Sequence, residues 1–327
     1  MRRVIPLLSC ILLLLCGCGG GQSVSAPDEA ARLVIFTARS AAAYDDTVRE
    51  FERRTGIWVE VRTADGTLPL LDEIAAGDSG CDLLLGAAPD CLSAYGDCFA
   101  PYAAPLAADI PDAYRDSEDR WTAFSLLPMV LLYNDQLVQR NVPDSWSGLL
   151  DTAWRGRIAC PDPTVSATGC TVLQALTQAL PSEDETVLAA FSHNLSGVLP
   201  SAADAVDAVA DGSCYVGVAT EDLALQAADN GFSVTVVYPA EGTVIQPDCA
   251  AVVQGCLHED NARAFIDFLL SDEVQTRLTR QSRRAVRGQA AASAALPRAM
   301  AYDAYAAGAR QAELLAIWQS LTAEAAS

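Results

Sequence analysis

The sequence predicts an α/β protein of two doubly wound lobes joined by two crossings of the chain, and three observations carry that prediction. Its 327 residues exceed the roughly 250 to 300 at which a single core stops growing, so two compact units are expected. Short apolar runs alternate with stretches of helical periodicity, the pattern of strand-helix units on a mostly parallel sheet. Several of these runs end in loops of small or hydroxyl residues, and open α/β sheets bind ligands at the carboxyl ends of their strands.

At the N-terminus, Arg2 and Arg3 precede an apolar run over residues 4–15 that is too short for a permanent membrane span and reads as a secretion signal. Residues 15–18 (LCGC) have the form of a bacterial lipobox. Cys18 is the expected site of lipid attachment in preference to Cys16, which follows the bulky Leu15; a plain signal cut near Ala26 is the alternative. Residues 19–28 (GGGQSVSAPD) make a polar tether. The expected organisation is signal and lipobox over 1–18, tether over 19–32, a first part of lobe 1 over 33–127, lobe 2 over 128–240, and a return to lobe 1 with C-terminal helices over 241–327.

Residues 33–37 (LVIFT) form a first buried strand, followed by a helix over 41–54 that ends at Gly56. Between them Thr37, Arg39 and Ser40 are candidate ligand contacts, although helix capping also accounts for Ser40. Strand two covers 58–63, a short helix 68–76, and strand three 82–85, which runs into Gly86 and Ala87, again small residues at a strand end. The long extended run 121–133 (WTAFSLLPMVLLY) passes from one lobe to the other, and residues 239–243 (PAEGT) make the return crossing. Between the crossings, helices are expected over 146–154, 183–193, 201–210 and 221–229, with strands over 215–219 and 233–238. Beyond them lie a strand at 250–253, helices over 259–270 and 272–278, and a tail helix over 312–321 whose Trp318 is expected to pack on the first lobe.

The segment 157–180 (RIACPDPTVSATGCTVLQALTQAL) is the expected ligand floor. Residues 157–160 suit a buried parallel strand, and Pro161 and Pro163 forbid its continuation. Ser166 is a plausible N-cap for a helix whose apolar positions Val172, Leu173, Leu176 and Leu180 recur at helical spacing. The first amides of that helix lack internal partners and sit at the positive end of its dipole. An anion on Ser166, Ala167, Thr168 and Gly169 is therefore held by N–H and hydroxyl groups. An ordinary capped turn explains the same stretch equally well.

Forty-two acidic residues against 21 basic ones give a net charge of −21, which argues against nucleic acid and against an anionic membrane surface as partners. Every basic residue is arginine, which removes a Walker lysine, a Schiff base and a Ser-x-x-Lys pair; nucleophile-elbow, H-E-x-x-H and phosphate-loop motifs are absent too. No catalytic residue, metal site or cofactor is expected. His193 at a helix end and His258 before a helix start read as structural, and the arginines 280, 283, 284 and 287 as a solvated face. Outside the leader eight cysteines remain, an even set that in an exported chain points to disulfides. The local pairs are Cys91 with Cys98, Cys160 with Cys170 and Cys249 with Cys256.

Several stretches taken in order resemble the extracytoplasmic solute-binding proteins of bacterial ABC importers, of the type 2 periplasmic-binding fold, in the group that includes ferric-iron, phosphonate and sugar-phosphate binders. They are VIFTARS at 34–40, FERRTGIWVEVR at 51–62, SWSGLLDTAWRGRIACPDP at 145–163, VSATG at 165–169, VYPAEGT at 237–243, NARAFIDFLLSDEVQ at 261–275 and RRAVRG at 283–288. The resemblance implies a monomer whose two lobes close on a small ligand, without chemistry, and present it to a membrane permease. Ferric binders of this group carry a Tyr-Tyr pair where this chain reads VATEDLAL, so the resemblance favours a phosphonate or phosphate ester over ferric iron, with Arg39 as an added anion contact. Glu221, Asp222 and Glu241 are then available for an ammonium or sugar hydroxyls, or serve as a helix start and part of the crossing. An exported phosphate-ester hydrolase is the alternative of another class.

Overall fold

The computed structural model describes residues 29–293 and 295–325; the expected secretion signal, Cys18 and most of the expected tether lie outside them. The chain begins with β1 (Arg32–Thr37), α1 (Ala41–Thr55), β2 (Trp58–Thr63), α2 (Thr67–Ala75), β3 (Leu83–Ala87) and the short α3 (Pro89–Ala94). β2, β1 and β3 are parallel neighbours, and both β1 and β3 are buried along almost their whole length, as strands covered by helices on both faces must be. Gly56 ends α1 in the left-handed conformation, donating its N–H to Glu52, which is why the helix stops where the sequence predicts.

The long apolar run forms β4 (Thr122–Asn134). It is followed by β5 (Ile158–Pro161), α4 (Ala167–Ala179), α5 (Asp184–Ser192), β6 (Leu195–Leu199), α6 (Ala202–Ala210), β7 (Val216–Thr220), α7 (Glu221–Asp229) and β8 (Val234–Val237). β9 (Ile245–Val252) then leads into α8 (Glu259–Leu269), α9 (Asp272–Arg280), β10 (Arg284–Ala285), α10 (Gly288–Ala292) and α11 (Ala304–Ala325). The sheet order is β2-β1-β3-β9-β4-β7-β5-β6, with β8 and β10 also on β4.

β4 is the joint between the lobes. Its first half, Thr122 to Pro128, pairs with β9, and its second half, from Met129 to Tyr133, pairs with β7. Pro128 sits where the partner changes, a place where a residue without an N–H costs the ladder least. The chain returns to the first lobe directly after the 239–243 turn: β8 pairs with the second half of β4, Val244 lies in the second core, and Ile245, the first residue of β9, lies in the first.

Each lobe has its own core: Phe36, Phe51, Leu71, Leu84 and Phe265 lie in the first, and Trp146, Leu176, Phe191 and Val218 in the second. Two expectations change here. The stretch 146–154 makes two short 3-10 turns, not one helix. The tail helix puts Leu314 and Trp318 into the second core, with the Trp318 ring 6.4 Å from Phe191, while its first turns pack on α3, where a side chain on Gly308 would run into Ser93 and the Asp90 carbonyl. α11 therefore touches both lobes. The strand β6, which carries no strong apolar alternation and leaves its middle exposed, is not among the predicted elements. All eight cysteines are free thiols, so none of the three expected local pairs is formed.

Candidate functional site

Six strand ends of the two lobes open on one cavity of about 440 Å³. From the first lobe come Arg39 and Ser40 after β1, residues 63–67 after β2, and Gly86 and Ala88 at the end of β3; from the second come Ser166, Ala167 and Thr168, residues 200–204, and Asp222. Gln246, Pro247 and Arg283 close the back. The floor turn is thus on a cleft between lobes, as the topology rule for open sheets requires.

The charged centre of the cleft is a buried cluster of two arginines and two aspartates. Asp248, on β9 and 1% exposed, accepts from Arg39 at 2.6 Å and from Arg283, which also donates to Ser125 Oγ at 2.7 Å. Asp222 lies 3.8 Å from Arg283 Nε. Burial lowers the pKa of both arginines, with Asp222 opposing the shift, and at about 10 Arg283 stays cationic at neutral pH. What the cluster leaves over is informative: Arg39 Nε, Arg283 Nε and Asp222 Oδ1 are buried without a hydrogen-bond partner. A buried polar atom without a partner costs about 1–3 kcal/mol, which a ligand of opposite polarity recovers. Gly86 makes room for this arrangement, since a Cβ there would stand 2.7 Å from the Arg39 side chain, and its φ of 87° suits glycine alone.

Ser166 caps α4 as predicted, accepting from Gly169 N at 3.4 Å, and an Asx turn at Asp162, which accepts from Thr164 N and Oγ1, sets the chain up for it. Gly169 is consequently spent inside the turn. It faces the backbone of residues 161–163, where a Cβ would be 2.7 Å from Pro161 O, and does not reach the cleft. The amides of Ala167 and Thr168 and the hydroxyls of Ser166 and Thr168 form the floor.

Not every expected contact is at the site. Thr37 is fully buried below it and orients the loop by accepting from Arg39 N; Ala87 is equally buried, with Ala88 in its place on the wall. Glu221 takes a bidentate pair from Arg284 at 2.6 and 2.8 Å and a bond from Tyr238, all away from the cleft. Glu241 accepts from the amides of Trp146 and Ser147 and from the Ser147 hydroxyl, which makes it a cap on the 146–154 turns. Of the presumed solvated arginines only Arg280 is exposed; Arg283 is in the cleft, Arg284 holds Glu221, and Arg287 bridges Asp109 and Asp272. His258 N and Nδ1 bind Asp82 at the head of α8, a structural role. Asp248 and Arg283 were not expected. Their only signal was charge on apolar surroundings, an aspartate in an otherwise buried strand and an arginine in RRAVRG.

The two lobes meet across the mouth of the cleft. Gly66, ahead of α2, faces Val165, just ahead of α4, so closely that a Cβ would be 2.2 Å from the Val165 carbonyl oxygen. Behind the cleft, Asp90 is fully buried and ties three elements together: it accepts from Cys91 N, from Gln246 of β9 and from Gln174 of α4. Burial raises its carboxyl to about 6, against the opposing effect of the Cys91 amide and Gln174. The folded state thus holds this proton more tightly than the unfolded chain. Its contribution to stability is complete below about pH 4 and is lost as pH rises through about 6, a change of about 3 kcal/mol. Asp90→Asn is expected to flatten the pH dependence of unfolding midpoints between pH 4 and 7 relative to the parent. An unchanged slope in urea titrations contradicts the assignment.

Residues 95–305 match the family model described as bacterial extracellular solute-binding protein. The chain belongs to that family. It is 26% identical over 247 residues to a Salmonella typhimurium protein named "Putative 2-aminoethylphosphonate-binding periplasmic protein", an alignment covering 72% of this chain and 68% of that one. Among solved structures it superposes on the periplasmic binding protein AfuA from Actinobacillus pleuropneumoniae, solved with fructose-6-phosphate, at a TM-score of 0.79 with 20% identity, over 88% of this chain and 97% of that one. The ferric binding protein from Campylobacter jejuni superposes at 0.76 with 20% identity, over 88% and 99%. At such identities the likeness shows the fold, which is the type 2 periplasmic-binding fold. AfuA and the Campylobacter jejuni protein are both named as binding proteins.

Proposed function

We propose that this solute-binding protein captures a small organophosphorus solute, a phosphonate or phosphate ester that also carries an amine or hydroxyls, and delivers it to the permease of an ABC importer. The carrying observation is the pairing of unsatisfied atoms in the cleft: two arginine Nε groups beside one aspartate oxygen, above the open end of α4. Arginine forks and helix amides match a phosphoryl group. A bare dianion fits less well, because Asp248 and Asp222 already offset both arginines and Asp65 and Asp204 line the opposite walls. A ligand with its own cation or hydroxyls meets both signs. The Salmonella relative's name and the sugar phosphate in AfuA support the same chemistry.

The test is thermal unfolding with 2-aminoethylphosphonate, fructose-6-phosphate, inorganic phosphate and ferric citrate. One organophosphorus ligand is expected to raise Tm with concentration, by about 2.7 kcal/mol of stabilisation at 100 times Kd. Thr168→Phe, which fills the floor, is expected to abolish the rise. A rise with ferric citrate alone, or one that persists in Thr168→Phe, overturns the reading.

Lipid attachment at Cys18, outside the described residues, rests on the lipobox form of residues 15–18. In cells fed labelled palmitate, the label is expected to disappear in Cys18→Ser and to stay in Cys16→Ser; the reverse pattern moves the anchor.

A further inference from the structure

Eight free thiols in a family of extracellular proteins call for an account, and the sequence neighbours do not supply one. Cys160 sits in the second core with its thiol on Pro161 O at 3.3 Å, whereas Cys170 belongs to the core of the first lobe. Cys98, seven residues after the fully buried Cys91, is half-buried beyond the end of α3.

Cys170 is instead brought to Cys91. They sit on helices of different lobes, Cys91 on α3 and Cys170 at the head of α4 where that helix reaches the core of the first lobe, and the surrounding bonds hold these helices together. Gln174, one turn after Cys170, donates to Asp90, the residue before Cys91, at 3.1 Å. Gln246 donates both to Asp90 and, at 2.7 Å, to Thr171, the residue after Cys170. Both thiols are buried in one apolar cluster, and the Cys170 thiol donates to Pro163 O at 3.1 Å. Gln311 of α11 donates to the Cys170 sulfur at 3.6 Å.

We propose that Cys91 and Cys170 are a disulfide site that staples the two lobes behind the cleft when the chain folds in an oxidising compartment. Each thiol gives up one hydrogen atom, a disulfide oxidant such as oxidised glutathione takes up both and becomes two thiols, and a single sulfur–sulfur bond forms. The neighbouring Cys170 thiol and burial hold the Cys91 thiol well above its ordinary range, so the bond is expected to form during folding, before the site is sealed. The staple lies on the β4 and β9 side, where the lobes pivot, and leaves the mouth at Gly66 and Val165 free to open. It does not depend on the ligand.

The test is refolding of the chain from guanidinium in a mixture of reduced and oxidised glutathione, then denaturation, alkylation with N-ethylmaleimide and peptic mapping. Cys91 and Cys170 are expected to escape alkylation and to appear in one linked peptide pair, two hydrogens lighter than its parts, which dithiothreitol separates. Cys91→Ser is expected to return Cys170 to the alkylated set, and Cys170→Ser to return Cys91. Should either variant fail to fold, the map of the parent chain decides. Alkylation of both residues in the parent, or linkage of either to another cysteine such as Cys249 on β9, overturns the proposal.

Discussion

Arg283→Met is expected to raise the Kd for the organophosphorus ligand roughly 100-fold, about 3 kcal/mol, by isothermal titration calorimetry. The guanidinium is 4% exposed and is held by Asp248 and Ser125 before any ligand arrives, with Nε left over. A donor whose direction is already set loses little entropy on binding, and in a water-poor site its charge counts for more than it does at the surface. Arg283→Lys keeps the charge and loses the planar fork, so its affinity should fall between the two. Removing Arg283 also takes one of two cations from buried Asp248, and a lower Tm accompanies the loss. Arg280→Met, on the exposed end of α9, is expected to change neither. A Kd for Arg283→Met within threefold of the parent removes the arginine pair from the site.

Gly66→Val is expected to hold the lobes apart. Small-angle scattering should show no ligand-induced fall in radius of gyration, and affinity should drop at least tenfold, because closure contributes to binding only through its differential affinity for the closed state. The obstacle is steric: a Cβ at residue 66 meets the Val165 carbonyl oxygen at 2.2 Å. That atom is backbone, so trimming the side chain in a Gly66→Val, Val165→Ala double variant is not expected to restore closure. The φ of −162° at Gly66 is extended backbone open to any residue, so the open form should keep its stability. A normal contraction on ligand addition shows that these loops do not form the stop.

Most of the framework was legible in the sequence because it rests on local chemistry. Gly56 and Ser166 mark helix ends by conformational freedom and side-chain capping, which act within four residues, and β2 at residues 58–63 follows from its alternation. The 146–154 stretch departs from the expected helix for a related reason: Glu241, distant in sequence, takes the amides that open the first 3-10 turn, and Asp151 breaks the run by capping the second through Ala153 N. The tail helix was assigned to one lobe because an apolar stripe does not say which core it meets.

By itself the sequence determined two α/β lobes, a long shared strand, and a floor of small hydroxyl residues at the head of α4. Apolar periodicity, proline and capping residues specify these within a few positions of where they occur. Only the tertiary structure decided which charges face the cleft. Glu221 and Asp222 are adjacent, yet one is consumed by Arg284 while the other turns into the cleft, and Arg39 meets Asp248 across more than two hundred residues. Whether a buried charge is satisfied or left for a ligand depends on what the fold sets within about 3 Å of it, and that distance carries no trace in chain order.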